Sequence, residues 1–292
     1  MTRLAPIHID PEKFLYEHSS LPELPTFLTK LQQMIHSDKV STREVTNLIR
    51  TDAPMVAQIL KVVNSAYYSI PREITDLNIA IAYLGLNEIN RIALNLSIIN
   101  LLFDKDQKAF KEIWFNSVCT AICANYLARK FAPKLNFMEL WSVAILHDIG
   151  KFVYLKFFPE HYQEMRNYSL EKGCLFCDAE KFYSLPSSAY LGTLLCDRWR
   201  LPQHVKAVCS SHTFYDLLDN KDQDVKESFI GIVALANLLA VLTTDPVNPN
   251  LNDRIVKVII KHLEITDSEY DALMKDMKKL KKEAEMFSSI SL

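Results

Sequence analysis

Val56, Leu60 and Val63 fall at the spacing of one helix face, and so do Ile89, Ile92, Ala93, Leu96 and Ile99. Punctuation residues frame these faces. Ser41-Thr42-Arg43-Glu44 has the Ser-x-x-Glu spacing in which hydroxyl and carboxylate satisfy each other's backbone donors, so a helix is expected from there to about Arg50. Asp52 followed by Pro54 marks a second start, with Val56, Leu60 and Val63 inward. Ile79 to Leu84 runs into Gly85, a helix stop, after which Asn87 is the expected cap of the next helix. The first hundred residues thus read as a compact helical bundle.

The stretch Phe103-Asp104-Lys105-Asp106-Gln107-Lys108 is charged and poor in apolar residues, which places a boundary between an N-terminal helical subdomain, 1–104, and a second one, 105–292. Helical patterns then cover Trp114 to Phe131, Leu140 to Ile149, Tyr190 to Trp199 and Phe229 to Leu242. The last pattern, Asp267 to Phe287, puts Tyr270, Leu273, Met274, Met277 and Leu280 inward, with Lys275, Lys278, Lys279, Lys281 and Lys282 on a solvated face. Only five glycines in 292 residues, with 49% hydrophobic residues, suit helices joined by short loops, so the fold class is all-α.

Charge narrows the functions. With 33 basic and 35 acidic residues the net charge is -2, which supplies no broad positive field for nucleic acid or anionic lipid, so neither is expected as a partner. Met1 to Phe14 carries Arg3, Asp10, Glu12 and Lys13 and no apolar run of a secretory signal, and the apolar stretch Phe229 to Leu242 falls short of the roughly 20 residues of a membrane span. A cytoplasmic location follows as the expectation, and there the six cysteines are expected as thiols. Cys174-x-x-Cys177 has the spacing of half a zinc site or of a redox pair but lacks a second ligand pair, whereas Cys119 and Cys123 lie four apart in an apolar helix and read as core.

The segment with chemistry is Ala144-Ile145-Leu146-His147-Asp148-Ile149-Gly150-Lys151. Neighbouring helical residues point about 100° apart, so His147 and Asp148 can reach one ion held at the helix edge. Imidazole with carboxylate suits zinc, iron or manganese, and such an ion can activate water against a phosphate ester. Lys151, one turn on, is placed to neutralise a phosphate oxygen. The competing reading is a hydrogen-bonded polar pair at a helix end.

Further segments occur in a telling order: Leu21-Pro22-Glu23-Leu24-Pro25, Val63-Asn64-Ser65-Ala66-Tyr67-Tyr68, the Ala-Ile-x-x-Leu-Gly pattern from Ala80 to Gly85, His147 to Lys151, and Trp199-Arg200-Leu201-Pro202. From about Leu21 to Asn237 the chain resembles the HDOD family, a signalling-associated branch of the HD superfamily of metal-dependent phosphohydrolases. The resemblance implies a multi-helix HD-like bundle. It also shows what has changed: the W-x-H-S segment reads Trp114-Phe115-Asn116-Ser117, with a neutral amide at Asn116 for the histidine. The H-A-E-L-G-like segment reads Ser188-Ala189-Tyr190-Leu191-Gly192, a His-His pair reads Ser211-His212, and the distal aspartate falls on Asn237. No Gly-Tyr-Pro follows Ser211-His212, which argues against the HD-GYP cyclic-di-GMP phosphodiesterases.

The surviving set is His147, Asp148 and His212, a weak or vestigial metal site with one carboxylate, and no resident cofactor is expected. The alternative is a divalent iron, manganese or zinc ion at a weak site. The resemblance implies a non-catalytic regulatory module of bacterial signal transduction, a stand-alone adaptor for unidentified signalling proteins. A metal-dependent phosphohydrolase is the runner-up, and a nucleotide or phosphate ligand held at Lys151 without turnover is the third reading. Tyr67-Tyr68 and Ile70-Pro71 read as core packing ahead of an exposed aromatic patch.

Overall fold

In the computed structural model, residues 4–10, 13, 30–31, 34, 41–65, 68, 70–102, 108–219 and 225–290 are described, and every regular element among them is a helix. The Leu21 to Pro25 segment, Tyr67 and the charged residues from Phe103 to Gln107 lie outside the described residues. By packing, the chain forms two compact units, Met1–Ser19 with Asp104–Ala284, and Ser20–Phe103 with Glu285–Leu292.

In the smaller unit, α1 (Thr42–Arg50) starts at a complete capping box. The Glu44 N–H donates to Ser41 Oγ at 3.3 Å and the Ser41 N–H to Glu44 Oε2 at 2.8 Å. Asp52 caps α2 (Ala53–Val63) by accepting the Met55 N–H at 2.9 Å. Helix α3 (Leu77–Leu84) ends at Gly85, whose φ of +80° suits a residue without a Cβ. The chain re-enters α4 (Leu86–Leu102) at once, so Asn87 sits inside the first turn instead of capping it. The inward face of α2 also differs from the expected one. Met55, Ile59, Val62 and Val63 are buried while Val56 and Leu60 are half-exposed, because α2 meets α4 along a face rotated from the Val56/Leu60 row.

Asn64 and Tyr68 have structural work here. The Asn64 amide closes the following loop with two bonds to the Ile74 backbone, at 2.7 and 2.8 Å. The Tyr68 hydroxyl donates to buried Glu88 at 2.6 Å, and Arg91 pairs with the other oxygen of the same carboxylate at 3.2 Å.

The larger unit continues with α5 (Lys108–Phe131), α6 (Phe137–Leu146), α7 (Ile149–Phe157), α8 (Pro159–Lys172), α9 (Phe176–Phe182), α10 (Ser188–Arg198), α11 (Gln203–Ser210), α12 (Phe214–Asp219), a 3-10 turn at Val225–Glu227, α13 (Phe229–Thr244), α14 (Pro249–Leu263) and α15 (Asp267–Ile290) as far as Ala284, the rest of α15 being counted with the smaller unit. The centre of the larger unit is the α5–α13 pair, with α6 also against α5 and α10 against α7. Almost all of α13 from Gly231 to Ala240 is buried, as its unbroken apolar run requires, and Cys119 and Cys123 are core residues of α5. No helix among the described residues is long and apolar enough to cross a membrane. On α15, Lys275, Lys278, Lys279 and Lys282 are exposed as expected, but Lys281 is not on that face. It is half-buried and donates to the Thr243 carbonyl at 3.0 Å, because its long stem lies along α13.

The expected single helix from Leu140 to Ile149 is two. Helix α6 stops at Leu146, His147 and Asp148 form a turn, and α7 starts at Ile149. The break brings Gly150 against the first turn of α10, where a Cβ would lie 1.8 Å from the Ser188 carbonyl oxygen. That backbone-to-backbone approach admits only glycine. Gly150→Ala must therefore separate α7 from α10, and urea unfolding should show a loss of about 3 kcal/mol. A loss under about 0.5 kcal/mol, the size of a surface change, would show that the contact does not constrain the fold.

Candidate functional site

The α6–α7 turn buries an imidazole and a carboxylate side by side. His147 Nδ1 lies 2.7 Å from the Ala144 carbonyl, which can only accept, so Nδ1 carries the proton and Nε2 presents a lone pair. That Nε2 is buried without a hydrogen-bond partner among the described residues, 3.5 Å from Asp148 Oδ2. Burial holds the His147 pKa down at about 4 despite the adjacent Asp148 charge, so the ring is neutral.

His212, just beyond α11, completes the group. Its Nδ1 faces the Val208 and Cys209 carbonyls at 3.1 and 3.0 Å, and its Nε2 is 3.2 Å from Asp148 Oδ1. The two rings meet edge to face at 5.0 Å between centroids. One potential ligand atom from each of His147, Asp148 and His212 lies within 4.8 Å of the others. Backbone carbonyls on both Nδ1 atoms turn both Nε2 atoms inward, the outer support that ligating histidines use.

Lys151 changes this site. Its ammonium lies 2.5 Å from Asp148 Oδ2, the same oxygen that faces the bare His147 nitrogen. Burial alone would raise the Asp148 pKa, but Lys151 and both imidazoles outweigh it and hold the carboxyl well below its usual range. His212 is shifted the other way: burial opposes its charged form, and the bond and charge of Asp148 prevail to raise its pKa. Asp148 stands at the N-cap of α7, yet its side chain makes no capping bond, since both oxygens are engaged by these cations and rings.

The other positions named from the sequence divide. Asn116 on α5 and Asn237 on α13 face each other, the Asn116 amide donating to Asn237 Oδ1 at 3.4 Å. Ser188 opens α10, and its N–H donates to Glu180 at 2.7 Å. It borders a small cavity of about 50 Å3 together with Asp148, Lys151, His212 and Asn237. Ser211 is not drawn in, as its hydroxyl lies 3.3 Å from that of Ser210 on the exposed side. Cys174 and Cys177 are free thiols outside the one ligand cluster found among the described residues.

Sequence reasoning missed a second cavity of about 270 Å3, which opens from Asp148 and Lys151 toward Tyr162 and Arg166 of α8, Glu112 of α5 and Asp245 after α13. Pro159 and Gly173 do bracket α8 as start and stop signals, and Tyr162, Arg166 and Ser169 share one face, so part of this wall was readable. The convergence of these elements was not. Glu180 was missed as well.

Donor chemistry allows one ion of the transition type at His147, Asp148 and His212, and the partnerless His147 Nε2 is an atom that such an ion would satisfy. Opposing this, the Lys151 ammonium competes for Asp148 Oδ2, and the amides of Asn116 and Asn237 add no charge. No second carboxylate joins the cluster among the described residues, so a two-metal arrangement has no basis in it.

A helical unit with a buried His-Asp turn answered by a distant histidine defines an HD-like helical protein. The chain belongs to the HDOD domain family, whose pattern matches residues 21–214, leaving Asn237 beyond the match. A relative from Treponema pallidum (strain Nichols), known only as an uncharacterized protein, is 24% identical over 218 residues, or 75% of this chain. This chain spans 42% of that relative's length. Among solved structures, an HDOD domain protein of unknown function from Geobacter sulfurreducens superposes with a TM-score of 0.67 at 21% identity, covering 94% of this chain and 96% of that one. A protein from Marinobacter aquaeolei VT8, whose name proposes a role in signal transduction, superposes with a TM-score of 0.69 at 14% identity, covering 98% of this chain and 62% of that one. At such identities the likeness is one of fold.

Glu180 provides a pH test of the site's surroundings. Burial raises its pKa to about 7 against the opposing hydrogen bond from the Ser188 backbone, so the protonated form is favoured on folding. The associated stability is complete below the unfolded value near 4.5 and is lost as pH rises through 7. Glu180→Gln keeps the acceptor for Ser188 without the charge. Its unfolding free energy should match the wild type at pH 4 and exceed it by about 3 kcal/mol at pH 8. Equal stabilities at both pH values would remove burial as the controlling cause.

Proposed function

We propose that this chain is a non-catalytic signalling module of HDOD type, acting by binding a partner protein or a small ligand. The observation that carries this reading is the Lys151 ammonium on Asp148 Oδ2, the oxygen nearest the bare nitrogen of His147. A dication entering there must displace an ion pair from the cluster's single carboxylate, with only two imidazoles to add, of which His212 is already engaged by Asp148. The expected metal site is weak or vestigial, and the His-Asp-Lys-His cluster serves to tie the α6–α7 turn to the end of α11. Membership in the HDOD family and a structural neighbour named for signal transduction agree with a signalling role. Signalling proteins are the proposed partners.

One observation favours a second reading, a metal-dependent phosphohydrolase acting on a nucleotide or other phosphate ester. His147 Nε2 is buried without a partner, and a bound iron, manganese or zinc ion would satisfy it and acidify a water. Elemental analysis of protein purified under metal-replete conditions separates the two, with His147→Ala/Asp148→Ala and Lys151→Met variants checked for folding. The non-catalytic module should carry no stoichiometric transition metal, whereas Lys151→Met, which frees Asp148 Oδ2, should retain more than the wild type. A stoichiometric metal in the wild type that disappears from the double variant would establish the hydrolase reading instead.

A further inference from the structure

The cavity beside Asp148 holds charges that the His-Asp cluster does not use. Arg166 donates to both oxygens of Asp245, at 2.7 and 3.0 Å, and its Nε lies 3.5 Å from Glu112. Two carboxylates therefore share this guanidinium, and Lys108 adds a second cation contact to Glu112 at 3.8 Å. Lys281, which also borders the cavity, donates to the Thr243 carbonyl and has no carboxylate partner among the described residues. Tyr162 stands one helical turn before Arg166, only 3% exposed, and its hydroxyl has no hydrogen-bond partner among the described residues. Its hydroxyl is not sealed from solvent, so it faces the cavity as a donor available to a molecule that enters. Arg166, Glu112, Asp148 and Asp245 all act on this hydroxyl, while burial raises its pKa and keeps it a donor.

We propose that this cavity binds a small zwitterion of the α-amino-acid type, its carboxylate received by Lys281 and the Tyr162 hydroxyl and its ammonium by Glu112 and Asp245. The proposal rests on the non-catalytic binding role above and specifies the ligand. A phosphate dianion is the poorer match, because the three carboxylates and three cations that line the space balance, and of those cations only Lys281 is without a carboxylate partner among the described residues. Size agrees. A volume of about 270 Å3 is at the small end of ligand pockets and holds roughly nine waters, enough for one amino acid and too little for a dinucleotide. Phe115, Ile113 and Val241 supply an apolar wall for its side chain.

Isothermal titration of the full chain with each of the twenty common amino acids, and separately with inorganic phosphate and adenosine monophosphate, tests the assignment. At least one amino acid should bind one per chain. Tyr162→Phe and Lys281→Gln, both conservative and checked by circular dichroism, should each weaken that binding roughly tenfold. The proposal is overturned if no amino acid binds, if phosphate or the nucleotide binds in their place, or if amino-acid binding survives both substitutions unchanged. Turnover of a phosphate ester, read in its own assay, is the result that counts against the non-catalytic role, so the two failures are told apart.

Discussion

Asp148 is a carboxylate removed from water, and the larger unit is arranged around the cost of holding it there. Taking such an ion out of water costs several kcal/mol unless it is paired and hydrogen-bonded. Lys151 answers one oxygen from the next turn of chain, and His212 answers the other from beyond α11. Those two bonds settle where α6 must break, how α7 departs and where the end of α11 must lie. Gly150 then allows α7 to meet the Ser188 backbone without a Cβ between them. Removing one member of such a cluster leaves the others as buried, unpaired charge, which explains how this constellation can persist for structural reasons alone.

The neutral side chains singled out by the family resemblance have partners within the protein. The amides of Asn116 and Asn237 hydrogen-bond to each other across the α5–α13 pair. Ser188 supplies its backbone N–H to Glu180, a second buried carboxylate beside the cluster. Around the His-Asp turn the charges are thus balanced by protein groups. The larger cavity is different, since among the described residues it has a hydroxyl without a hydrogen-bond partner and a lysine without a carboxylate.

Local signals were legible wherever the chemistry is local. The Ser41 capping box, the Asp52 cap and the Gly85 stop satisfy backbone groups within a few residues, so spacing alone identifies them. Errors arose where a neighbour decided. Val56 and Leu60 fit a helical stripe as well as Met55 and Ile59 do, and only the position of α4 chose between them. Lys281 shares the charged pattern of its neighbours on α15, yet the Thr243 carbonyl takes it off the solvated face.

By itself the sequence determined the helical class, several helix starts, the family, and the residue types at the His-Asp site, because caps, periodicity and motif order are properties of adjacent residues. It also showed that Asn116, Ser188, Ser211 and Asn237 are neutral. Only the tertiary structure decided that His147 and Asp148 lie in a turn, that Lys151 occupies the oxygen a cation would need, and that Ser211 stays outside. The second cavity, to which α5, α7, α8, α9, α13 and α15 all contribute, was likewise invisible in one dimension. Electrostatic attraction and hydrogen bonding act over a few ångströms of space, and residues 64 positions apart, such as Asp148 and His212, come within that range only when the helices pack.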